Sequence, residues 1–110
     1  MRTLTKIADA DRFIASADAV WVFKHSATCS VSSAAYVEVE AYTQNHPDEP
    51  LAMVIVQDHR EVSNHLAEKL GVRHASPQLL LVRGGKPLWD ASHFKITADA
   101  MSAARRAAAR

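Results

Sequence analysis

The stretch Ala19-Val20-Trp21-Val22-Phe23-Lys24-His25-Ser26-Ala27-Thr28-Cys29-Ser30-Val31-Ser32 decides the fold. Its first five residues are apolar and rich in β-branched and aromatic types. A short, unbroken apolar run of this kind suits a strand buried on both faces. The polar segment Lys24 to Thr28 then leads to Cys29. From about Ser30 the period changes: Val31, Ala35, Val39 and Tyr42 recur at helical spacing, with Glu38 and Glu40 on other faces. The cysteine therefore stands between a buried strand and the first turn of a helix.

Working outward, Asp9 is placed to cap a short helix carrying Phe13, Ile14 and Ala17. Asn45 to Pro50 breaks the cysteine helix, and Leu51 to Val56 reads as a second apolar strand. Asp58 and Glu61 fit a capping box before the stripe Val62, Leu66, Leu70, which Gly71 terminates. Gln78 to Arg83 and Lys86 to Ala91 flank Gly84-Gly85, a two-residue hairpin signal, and Pro87 suits an edge strand. Thr97 caps a last helix, Ala98 to about Ala109. The β-α-β start requires parallel strands, and the hairpin makes the last pair antiparallel. The expectation is one α/β domain over residues 1–110: a four-stranded mixed sheet flanked by helices, with an extra helix at the N-terminus.

Composition narrows the function classes. The 110 residues are 48% hydrophobic and 23% charged, with net charge +1, so no strong field attracts nucleic acid or an anionic membrane. The longest apolar run has six residues, Leu51 to Val56, against the roughly 20 of a membrane-spanning helix. The N-terminal residues hold no apolar signal-peptide core. With Cys29 as the one cysteine, no intrachain disulfide forms, and a cytoplasmic protein is expected. Six histidines show no zinc-ligand spacing, so no metal is expected. Trp89 and Phe94 read as packing residues.

Cys29 carries the chemistry. Unpaired N–H groups and the dipole at a helix N-terminus favour a thiolate over a thiol. Lys24 and His25, close in sequence, would add positive charge; the competing reading is a buried, inert cysteine. Three residues on, Ser32 completes a C-x-x-S pattern: its hydroxyl can donate to the thiolate but cannot close a disulfide. Ser32 equally suits a plain backbone-satisfying role in the first helical turn. His25 and His74 are candidates for the rim of the site, as one precedes Cys29 and the other precedes Pro77.

The chain resembles the monothiol bacilliredoxins, the YtxJ-type, thioredoxin-like proteins of the bacillithiol system. Their active-site segment runs approximately F-K-H-S-x-T-C-P-I-S; here it is Phe23 to Ser32. Ser63-Asn64, Leu70 to Gln78, and Ala91-Ser92-His93 with Ile96-Thr97-Ala98 also resemble the family. Ser30 departs from it, standing where proline is usual. The resemblance implies a thioredoxin-like fold and a thiol–disulfide oxidoreductase that removes a low-molecular-weight thiol, bacillithiol, from S-thiolated cytosolic proteins. It implies Cys29 as nucleophile, Ser32 in the resolving position, and a substrate site around His25, Thr28, Ser76 and a cis Pro77. The small thiol is a co-substrate, no cofactor is expected, and a second thiol or a reductase must regenerate the enzyme. Two rivals stand beside this reading. One is a non-catalytic thioredoxin-like module that holds partner proteins in the Pro77 groove. The other is an iron–sulfur carrier of the monothiol-glutaredoxin kind, whose C-G-F-S pattern is not met by Ser30-Val31.

Overall fold

A computed structural model describes residues 1–109. Its elements are β1 (Arg2–Thr3), α1 (Ile7–Ile14), β2 (Val20–His25), α2 (Ser30–Asn45), β3 (Leu51–Ile55), α3 (Arg60–Leu70), β4 (Gln78–Arg83), β5 (Lys86–Ser92) and α4 (Ala98–Ala108), with a 3-10 turn at His93–Lys95. The sheet order is β1-β3-β2-β4-β5. β2 is central, parallel to β3 and antiparallel to β4, and β4 pairs antiparallel with β5.

The sheet has five strands where four are expected from the sequence. The extra one, β1, pairs parallel with β3 through Arg2 and Thr3 alone, and two residues are too few to show a period. The class, α/β with a mixed sheet, is the one expected.

Alternation along β2 and β4 builds two cores. Trp21, Phe23, Leu79 and Leu81 face α2 and α4, where Ala35, Val39, Tyr42 and Met101 meet them. Val20, Val22, Leu80 and Val82 face α1 and α3, where Ile14, Val62 and Leu66 meet them. Burial on both faces explains why both strands read as continuous apolar runs.

Local signals hold with some shifts. Gly84 and Gly85 both take positive φ, 58° and 76°, as a type I′ hairpin turn requires. Thr97 Oγ1 accepts from the Ala100 N–H at 3.0 Å. Asp9 does not cap α1; it lies within the first turn and pairs with Arg12. Ala17 lies beyond that helix, which ends at Ile14. Asp58 does not cap α3 either. The cap is His59, and Glu61 turns to its ring at 3.6 Å instead of to a backbone N–H. Trp89 packs edge-on against Trp21. Phe94, expected to pack, is 76% exposed.

Candidate active site at the end of the central strand

Cys29 is the N-cap of α2, with extended backbone (φ −102°, ψ 128°), and is half-buried. Ser or Asp in this position would accept from the open N–H groups of the first turn. No side-chain oxygen does so here, so those groups face the end of the helix that bears the sulfur. The Cys29 carbonyl accepts from the Ser33 N–H at 3.0 Å, which starts the helix.

The loop before Cys29 is held by two side chains from elsewhere. Ser32, 0% exposed, accepts from the Ser26 N–H at 2.8 Å. Gln57, just after β3, accepts from the Ala27 N–H at 3.1 Å and donates Nε2–H to Ser26 Oγ and Thr28 Oγ1. Thr28 is thus exposed and tied to Gln57. Sequence reasoning missed Gln57: a glutamine after an apolar strand carries no signal of a partner roughly thirty residues back.

Ser32 Oγ also lies 2.9 Å from Nδ1 of His25. That ring sits between Phe23 and Tyr36, at 5.5 and 5.3 Å centroid separation, and burial lowers its pKa below the ordinary 6.5. Burial thus disfavours the charged ring and works against the positive charge that proximity to Cys29 suggests. The ring's tautomer decides where the Ser32 proton lies. With Nδ1 bare, the hydroxyl donates to the ring. With the proton on Nδ1, the ring donates and the hydroxyl proton is released to another acceptor.

Lys24 does not face Cys29. It is 1% exposed and points to the α3 side of the sheet, where its Nζ donates to the Ser63 carbonyl at 3.0 Å. Its expected role as a charge beside the thiolate is corrected by strand alternation: Lys24 and His25 leave opposite faces.

Ser76-Pro77 is a cis peptide, and Pro77 is buried. The register Lys24 to Gln78 sets the start of β4 beside the end of β2, so this turn and the Cys29 loop open at the same end of the sheet. The Pro77 carbonyl is taken by the His93 N–H at 3.1 Å. Among the described residues, Ser76 makes no backbone–backbone hydrogen bond, and its buried Oγ has no partner. His74 lies below the turn, 3.1 Å from Ser63 Oγ.

Comparison with known proteins agrees with this fold. The structure of a thioredoxin-fold protein proposed to be an oxidoreductase is 30% identical, with TM-score 0.88 over 94% of this chain and 92% of that one. Thioredoxin from Fasciola hepatica superposes with TM-score 0.73 at 22% identity, covering 99% and 98% of the two chains. Thioredoxin from Trypanosoma brucei brucei gives 0.79 at 13% identity, over 97% and 88%. The last two likenesses concern the fold. The family described as monothiol bacilliredoxin BrxC matches residues 2–101. With a thioredoxin fold, and a match over nearly its whole length, the chain belongs to the monothiol bacilliredoxin family, whose role is thiol–disulfide redox chemistry.

Proposed function

We propose that the protein removes a small thiol, bacillithiol, from mixed disulfides on oxidised cytosolic proteins, with Cys29 as the nucleophile. The observation that carries this reading is the place of Cys29: the one cysteine of the chain, half-exposed, capping α2 with no competing acceptor. Thiol–disulfide exchange needs an accessible thiolate, and a helix N-terminus stabilises one.

The Cys29 thiolate attacks the small-thiol sulfur of protein–S–S–R. A Cys29–S–S–R bond forms as the original S–S bond breaks, and the protein sulfur leaves as a thiolate that takes a proton from water. With no second cysteine, the adduct waits for an external thiol or a reductase. A thiol R′SH attacks it, regenerates the Cys29 thiolate and carries R away as R–S–S–R′. Ser32 and Gln57 hold the loop before the nucleophile. The free backbone groups of Ser76 align the substrate chain, and Thr28 and His25 border it. No cofactor takes part.

A model protein carrying either a bacillithiol or a glutathione cap tests the substrate. Faster release of the bacillithiol cap supports the reading, and equal or faster release of glutathione overturns the choice of thiol. The binding-module alternative predicts release of neither.

A further inference from the structure

Among the described residues, the loop joining α3 to β4 makes no backbone–backbone hydrogen bond over residues 73 to 76. Side chains rising from the sheet hold it instead. Gln78 donates Nε2–H to the Arg73 carbonyl at 2.9 Å. Lys24, paired with Gln78 across β2 and β4, sends its Nζ into the gap between α3 and the loop. There it donates to the Ser63 carbonyl at 3.0 Å and lies 3.4 Å from Nδ1 of His74, which Ser63 Oγ also approaches at 3.1 Å.

This lysine is buried, and among the described residues no carboxylate lies within ion-pair distance of it. Burying an ammonium without a counter-charge is costly, and a methionine of similar length would fill the same space without that cost. What methionine lacks is donors, and the donors here go to one helix carbonyl and one loop ring.

We propose that Lys24 is a positioning residue for the substrate groove: its ammonium ties His74 to Ser63, and through that loop sets Ser76 and Pro77 where a protein substrate lies along Cys29. The proposal rests on the redox reading above and adds to it a residue on the sheet face opposite the nucleophile. Because Lys24 acts on the groove and not on the sulfur, its loss weakens substrate binding while leaving Cys29 chemistry intact.

Steady-state kinetics on a model protein with a bacillithiol cap, beside iodoacetamide alkylation of Cys29, separate the two. Lys24→Met is expected to raise KM about fivefold or more, with kcat and the alkylation rate within twofold of wild type. Ser63→Ala, which keeps the carbonyl but frees one side of His74, should raise KM less. An unchanged KM in folded Lys24→Met overturns the proposal, as does a loss of alkylation rate matching the loss of kcat/KM. If Lys24→Met does not fold, His74→Phe, which removes the partner of the ammonium on the loop, takes its place, and an unchanged KM there overturns the proposal. Wild-type turnover, lost in Cys29→Ser, keeps the redox reading whatever Lys24 does. A wild-type protein that turns over no capped substrate overturns both.

Discussion

Lys24 and His25 are neighbours in β2 and end on opposite faces of the sheet. His25 turns toward α2, where two aromatic rings and the Ser32 hydroxyl surround it. Lys24 turns toward α3, where a carbonyl and a second imidazole receive its ammonium. The first face carries Cys29, the proposed nucleophile, at the start of its main helix. The second carries a polar clasp under the loop that leads to Pro77. In the proposed reading one strand end therefore serves both halves of the site, and strand alternation separates chemistry from positioning. At the other end of β2, Trp21 and Tyr42 both donate to Glu49, at 2.8 and 2.7 Å. Burial and that carboxylate push the Tyr42 phenol well above its usual range. Those groups satisfy one another.

The largest difference between the two faces should appear in stability. Phe23 is 0% exposed in the core beneath α2. Phe23→Ala is expected to cost about 3–5 kcal/mol at every pH, from lost burial and the cavity left behind. Chemical denaturation would measure it, and a cost below about 1 kcal/mol would mean that this face is not the tightly packed one.

On the α3 face the cost depends on pH. Burial lowers the Lys24 pKa from 10.5 to about 8. Between those values the unfolded chain binds the proton and the folded one releases it, so the folded state gains as pH rises. At 1.36 kcal/mol per pKa unit the gain totals about 3 kcal/mol. Lys24→Met removes it. Relative to wild type, the variant should be about 3 kcal/mol more favoured at pH 7 than at pH 10.5. A difference that stays constant across this window would contradict a buried ammonium.

Ser32→Ala returns to the first face with a smaller effect. It leaves the Ser26 N–H and His25 Nδ1 without their partner, which costs about 1–3 kcal/mol. The Cys29 loop should loosen while the cysteine remains, so faster amide exchange at Ser26 is expected. Unchanged exchange there would mean that Gln57 alone holds the loop.

Much of this comparison is invisible in the sequence, for definite reasons. The strand, the cysteine and the helix after it are legible because periodicity is local: Val31, Ala35, Val39 and Tyr42 announce α2 without reference to anything else. Lys24 is not. A lysine after an apolar run reads as the end of a strand, and only partners 39 and 50 residues away reveal that it is buried. Gln57 is hidden in the same way. Asp58 is a fair capping residue by type, yet α3 starts one residue later, a displacement that turn geometry decides and residue preference does not. The cis geometry of Pro77 was implied by family resemblance and by no feature of the residues alone.

The central claim is that Cys29 itself takes the small thiol and holds it. Intact-mass spectrometry after incubation with a bacillithiol-capped protein tests this directly. The account predicts one bacillithiol adduct per chain, located at Cys29, with the substrate thiol freed, the adduct clearing when excess reduced thiol is added, and no adduct on Cys29→Ser. An unmodified Cys29 beside a substrate that keeps its cap would contradict it.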